Sequence, residues 1–164
     1  LLLSLDAVVK IQTANSLKAI PLSKFFISYR KTKFKKGDFV YSVKIPISKK
    51  NDFKAYKISK RFDDDISTVC ASFNLQIKKD KIIKAKIAYG GMSEIPKRAI
   101  AIEKKLINSI FSEEIFLKAK SLINNDFRPI DDMRASRNYR VEIAKNLLMK
   151  FFYEVSTKKN IRVN

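Results

Sequence analysis

No histidine occurs among the 164 residues, and Cys70 is the only cysteine. Without histidine, Ser-His-Asp triads, Cys-His dyads and histidine-ligated metal centres are excluded together. A lone cysteine can close no internal disulfide and build no multi-cysteine metal site, which points to a reducing, cytoplasmic setting. Glycine is almost as scarce. Gly37, Gly90 and Gly91 are the only three, and neither a GxGxxG turn nor a P-loop is present. A glycine-loop phosphate cradle, if a nucleotide is bound, therefore lies elsewhere. No apolar run approaches the roughly 20 residues that span a bilayer. The opening Leu1-Leu2-Leu3 lacks a basic flank and is soon followed by Asp6 and Lys10, unlike a signal peptide. The chain also starts without Met, which predicts a longer polypeptide.

Positive charge is in excess, with 35 Lys+Arg against 16 Asp+Glu, or +19. At 46% hydrophobic and 31% charged residues the composition is globular, not that of a disordered basic tail. The length suits about one domain with a real core. Such a charge suggests an anionic partner and says nothing about fold.

The first part reads as short strands. Ala7 to Ile11 is β-branched and apolar, and Leu17 to Leu22 is a second candidate, while Phe25 to Arg30 is ambiguous between helical turn and loop. After the turn signal Gly37-Asp38, the alternation predicts Phe39, Tyr41, Val43 and Ile45 on one strand face and Val40, Ser42 and Lys44 on the other. Pro46 ends that strand, and 48–52 reads as a linker. Further strands follow over Phe53 to Lys60 and Val69 to Ile77, and a third carries Ile83, Ala85, Ile87 and Tyr89 on its apolar face. The last two form an antiparallel hairpin with one wet face. Beyond Gly90-Gly91 the period becomes helical, with Pro96 a possible helix start. One helix carries Ala99, Ile102 and Leu106, a second Ile115, Ala119, Leu122 and Ile123, and a third runs from Arg137 to Val155 behind Ser136 as N-cap. The prediction is an α+β fold: an antiparallel sheet of about three strands packed against about three helices.

Candidate chemistry concentrates between strands. Arg61, Asp63, Asp64 and Asp65 follow Lys60 in a connection readable as a charge-balanced loop, an acid/base pair or a metal site; the last is weak without an EF-hand frame. Lys57 shares a strand face with Phe53 and Ala55; it is either an edge lysine that blocks aggregation or a cation reaching toward a ligand. Val40 is a stray surface valine or one wall of an apolar slot for a ring. Asp131 and Asp132 precede the last helix, where capping is the plain role. Arg30 to Lys36 interleaves Phe34 among five cations and is the best nucleic-acid candidate, although the lysine excess runs along the whole chain.

Three blocks in order carry a family resemblance: Lys57-Ile58-Ser59-Lys60-Arg61-Phe62-Asp63-Asp64-Asp65-Ile66; Ile87-Ala88-Tyr89-Gly90-Gly91-Met92 with Pro96-Lys97-Arg98-Ala99; and Asp131-Asp132-Met133-Arg134-Ala135-Ser136 with Tyr139-Arg140. Together with Phe26, Tyr29 to Thr32 and Ser42 to Pro46, they resemble the flavin domain of the molybdenum hydroxylases, most closely that of bacterial xanthine dehydrogenase small subunits. The resemblance covers nearly the whole chain. It implies that residues 1–47 end an FAD-binding subdomain and that 53–158 form the C-terminal subdomain, similar to that of the CO dehydrogenase flavoprotein. It implies FAD contacts at Lys57 and at Val40 on the adenine side, with Arg61, Asp63, Asp64 and Asp65 flanking the flavin ring. It further implies NAD as electron acceptor, with 2Fe-2S clusters and molybdopterin held elsewhere. The implied partners are a molybdenum-cofactor-binding large subunit and the upstream FAD and iron–sulfur regions. No catalytic residue and no metal ligand is expected in this chain.

Overall fold

A computed structural model describes residues 1–48, 50–61 and 65–160. β1 (Val8–Gln12) is flanked by β2 (Leu17–Pro21) and, later in the chain, β5 (Phe39–Lys44), all antiparallel, in the order β2-β1-β5. Alternation turns Val9 and Ile11 inward, where they meet Phe25 in a small cluster. A short 3-10 turn over Leu22–Lys24 leads into β3 (Phe26–Ser28) and β4 (Lys31–Thr32), a two-stranded ribbon. The ambiguous Phe25 to Arg30 stretch thus enters a tight hairpin, with Arg30 in the left-handed region at φ 55°.

The larger sheet runs in the order β6-β7-β8-β9, formed by β6 (Asp52–Ile58), β7 (Val69–Lys78), β8 (Lys81–Gly90) and β9 (Lys97–Arg98). Lys79 and Asp80, both at positive φ, close the β7-β8 hairpin in the two-residue turn that suits strand twist. One face is covered by α1 (Ile100–Leu106), α2 (Glu113–Lys120), α3 (Ile123–Asp126) and α4 (Arg137–Thr157). Phe73 of β7 stacks on Phe151 of α4 at 5.1 Å between centroids and meets Tyr89 of β8 edge-on at 5.8 Å. The Tyr89 hydroxyl donates to the Ala144 carbonyl at 3.0 Å, so the phenol is buried without an orphaned proton. The fold is α+β, as expected, with a fourth, two-residue strand and three helices of seven residues or more.

Five local expectations are corrected. A register shift at Gln76/Ile77 pairs Ile77 with Ile82, which pushes Ile83 out to solvent and puts Ile82 in the core beside Ala85, Ile87 and Tyr89. A second shift, between Lys10 and Ile11, pairs Ile11 with Val40 and Val9 with Val43. Val40 therefore shares the face of Val9 and Ile11 instead of the Ser42 and Lys44 face. Pro96 opens no helix: β9 intervenes, and α1 begins at Ile100, where the Asp126 carboxylate accepts from the Ala101 and Ile102 amides at 2.9 to 3.2 Å. The second helix divides into α2 and α3 around Ser121-Leu122. The hairpin's wet face is also partly covered, because Ser4 packs there, donating to Ser72 Oγ at 3.0 Å and accepting from Asn74 at 2.8 Å.

Candidate functional site

On β6 the alternation sends Tyr56 and Ile58 toward the helical core and leaves Phe53, Ala55 and Lys57 on the opposite face. β6 is an edge strand, and Lys57, exposed and opposite Cys70 on β7, has no ion-pair partner among the described residues. The result is a partly apolar strip that ends in a cation with no ion-pair partner among the described residues. Val40 is exposed on β5 in the smaller sheet, so the two expected cofactor contacts sit on separate sheets joined through the 45–51 segment.

The connection after β6 is organised by its own backbone. Ser59 Oγ donates to the Arg61 carbonyl at 2.7 Å, and the Arg61 amide donates to Asp65 Oδ2 at 3.1 Å. Desolvation pushes the Asp65 carboxyl upward, but the Arg61 and Ile66 amides, the Arg61 charge and the Lys60 amide outweigh it and hold the group below its ordinary range. Lys60 Nζ reaches the Met133 carbonyl at 2.8 Å, tying this connection to the loop before α4. Asp63 and Asp64 lie outside the described residues.

Arg140 organises what lies beside that connection, and sequence reasoning assigned it no role. Its side chain is buried. Nη1 donates to the carbonyls of Thr68 at 2.6 Å and Gly91 at 2.8 Å, and Nη2 to Asp132 Oδ1 at 2.6 Å. One guanidinium thereby joins the approach to β7, the exit from β8, the 131–136 loop and α4. Gly91 permits this because it sits at φ 78°, with a would-be Cβ only 2.3 Å from the Thr68 carbonyl oxygen. In the sequence Gly90 and Gly91 read only as a strand-breaking pair, and nothing there pointed to Arg140. Asp132 also accepts from the Arg134 and Ala135 amides at 2.8 and 3.2 Å, and the Arg134 amide acts first, with Ala135 and Arg140, to keep its carboxyl below the ordinary range against partial desolvation. Asp131 accepts from the Arg137 amide at 2.6 Å, and Ser136 Oγ caps α4 by accepting from Tyr139 at 3.2 Å. The plain structural reading of the two carboxylates is the one these bonds support.

Around this joint lies a cleft of about 720 Å³ whose walls include Tyr29, Ile66, Glu94, Ile130, Arg134 and Arg140. Tyr29, Ile66 and Ile130 are exposed large apolar groups, and the Tyr29 amide donates to Glu94 across the cleft at 3.2 Å. The lining is mixed, with these three groups beside Arg128, Arg134 and Arg140 and the carboxylates of Glu94 and Asp132. In the basic run Arg30 to Lys36, Phe34 packs edge-on against Phe25 at 5.1 Å while staying partly exposed. The residues present fit a flavin nucleotide as one wall of its pocket: a partly apolar strip, a cation unpaired among the described residues, and the charged Arg61 and Asp65 beside it. None of the three glycines forms a phosphate loop, because Gly91 is filled by Thr68 and Gly37 closes an isolated turn at φ 89°.

This arrangement is that of an FAD domain from a molybdopterin-dependent dehydrogenase, and the chain belongs to that family: residues 54–155 match the CO dehydrogenase flavoprotein C-terminal domain, and residues 1–48 the FAD binding domain in molybdopterin dehydrogenase. Among curated relatives, the glyceraldehyde dehydrogenase medium chain of Sulfolobus acidocaldarius is 28% identical over 94% of this chain and 55% of its own length. Nicotinate hydroxylase of Emericella nidulans is 30% identical over 96% of this chain, and xanthine dehydrogenase of rice (Oryza sativa subsp. japonica) 28% over 93%, each across 12% of its own length. The chain thus spans about half of the first relative and a small part of the others. Quinoline 2-oxidoreductase from Pseudomonas putida 86 shares the fold with a TM-score of 0.83 at 21% identity, over 96% of this chain and 54% of that one. CO dehydrogenase from Hydrogenophaga pseudoflava does so with a TM-score of 0.84 at 18% identity, over 90% of this chain and 51% of that one. Among the described residues no helix is long and apolar enough to cross a membrane.

Proposed function

We propose that this chain forms one wall of the FAD pocket in a xanthine-dehydrogenase-type molybdenum hydroxylase. The observation that carries the reading is Lys57, a cation with no ion-pair partner among the described residues, on the outer face of β6 just before the charged 59–66 connection. In this reading residues 1–47 finish the FAD-binding subdomain and 53–158 form the C-terminal one. Phe53 and Ala55 supply apolar surface, Lys57 contacts the cofactor, and Val40 lines its adenine side. When bound, the flavin relays electrons that originate in hydroxylation at molybdenum and arrive through 2Fe-2S clusters held outside this chain. The Lys57 ammonium favours negative charge on a ring placed against it, whereas Asp63, Asp64 and Asp65 oppose it, with Arg61 in partial compensation. The cleft between Tyr29, Ile66 and Ile130 opens next to that loop and is where NAD would approach as electron acceptor. A molybdenum-cofactor-binding large subunit and the glycine-rich and cluster-binding regions complete the cytoplasmic enzyme. This chain alone has no turnover.

The test is flavin content. In the assembled enzyme, Lys57→Ala should lower FAD affinity about tenfold, the loss expected for one charge-assisted contact, while Lys57→Arg restores most of it. Equal flavin content in wild type and Lys57→Ala would refute the assigned contact.

A further inference from the structure

The basic run that the flavin reading leaves unused folds around a cavity of its own. Lys33, Lys35 and Lys36 border a cleft of about 440 Å³ together with Lys18 of β2, and its lining includes Ile11 and Ile20. Ile11 is buried and Ile20 half-buried, while the lysines stand exposed above them. Backbone contacts fix where the cations sit. Lys18 pairs with Ile11 across β1-β2, the Lys33 amide donates to the Phe25 carbonyl at 3.0 Å, and Gly37 turns the chain at φ 89°.

Charge at this cleft is only partly compensated. Asp38 is the one acidic residue in the lining, set against four lysines, and its carboxylate accepts from the Lys35 amide at 2.9 Å. None of the four lysines has an ion-pair partner among the described residues, unlike Lys118 with Glu114 or Lys145 with Glu142 on the helices. Like charges gathered around one concavity repel in the free protein, so an anion that enters relieves the repulsion as well as forming its own contacts. Nucleic acid is the poorer occupant, because no aromatic side chain lines the cleft on which a base could stack.

We propose that this cleft binds a small phosphorylated ligand of the nucleoside diphosphate class, its phosphates held by Lys18, Lys33, Lys35 and Lys36 and its flat apolar part against Ile11 and Ile20. Recognition is by side-chain ammonium groups, so no glycine loop is needed. The ligand is a free nucleotide, distinct from the flavin whose phosphates are held outside this chain.

Calorimetric titration of the chain with ADP at low ionic strength tests this. ADP should bind, and Lys35→Gln/Lys36→Gln should weaken it about tenfold, as expected for lost charge-assisted contacts. Lys104→Gln/Lys105→Gln, the same charge change on α1, should leave binding unchanged; circular dichroism verifies folding of both. Adenosine should bind far more weakly than ADP. ADP binding unaffected by saturating FAD supports a site separate from the flavin pocket, and FAD that abolishes ADP binding would overturn it. No ADP binding at millimolar concentration, equal weakening by the two lysine pairs, or tighter and equally lysine-dependent binding of single-stranded DNA would each overturn it.

Discussion

Replacing Gly91 by alanine should be among the most destabilising small changes available in this chain. The glycine sits at φ 78°, a conformation that costs an L-residue about 1–2 kcal/mol. A Cβ there would lie 2.3 Å from the Thr68 carbonyl oxygen and 3.1 Å from Arg140 Nη1, so backbone must retreat. Retreat stretches the 2.6 Å bond from Arg140 to Thr68, a charge-assisted bond in a buried setting whose loss costs about 1.5–3 kcal/mol. The sum is about 2.5–5 kcal/mol, which at this chain length lowers Tm by roughly 5–20 °C. Gly90 provides the control. Its would-be Cβ meets only Cys70 Cβ, at an ordinary 3.7 Å, so Gly90→Ala should shift Tm by no more than about 3 °C. Differential scanning calorimetry of the two variants decides it. Equal shifts, or a Gly91→Ala protein as stable as wild type, would refute the claim that Arg140 locks four segments around this glycine.

Other outcomes follow from individual contacts. Ser136→Ala removes the Tyr139 amide's acceptor at the start of α4 and should cost about 1 kcal/mol in urea unfolding, with Ser136→Asp near neutral. Burial, with Glu154 or Asp126 nearby, raises the Tyr56 and Tyr89 phenols above the ordinary value of about 10. A raised folded value contributes stability that is fully present below the unfolded value and is lost as pH climbs beyond it. Urea midpoints should therefore fall above about pH 10, and phenolate absorbance should show these two tyrosines ionising only on unfolding; six tyrosines titrating together in the folded chain would contradict this. Asp132, held low by the Arg134 amide and its neighbours, works in the opposite sense: its stabilisation is present near neutral pH and fades as pH falls, so Asp132→Asn should flatten the acid limb of the stability profile.

The sequence was legible where one periodicity ran uninterrupted. Val69 to Ile77, the α4 pattern and the Ser136 cap appear in the fold as the spacing and residue types imply. It failed at single-residue irregularities, because a period-2 argument carries every error forward: one bulge moved Ile83 to solvent, and another moved Val40 to the opposite face. Capping from a distance was equally hidden. Nothing near Ile100 announces that Asp126, some 25 residues later, satisfies the first amides of α1. At the candidate site, Lys57 could be placed on a strand face from alternation alone. Arg140 could not be singled out, since its bonds to Thr68, Gly91 and Asp132 depend on three separate chain reversals meeting. The resemblance supplied the family where local patterning stopped at an α+β layer.

Photolabelling with an azido-FAD in the assembled enzyme tests most directly whether this chain lines the flavin pocket. Peptide mapping should find label on segments 38–44 and 53–61, which contain Val40 and Lys57, and excess FAD should suppress it. Label confined to other polypeptide, with both segments unmodified, would contradict the account.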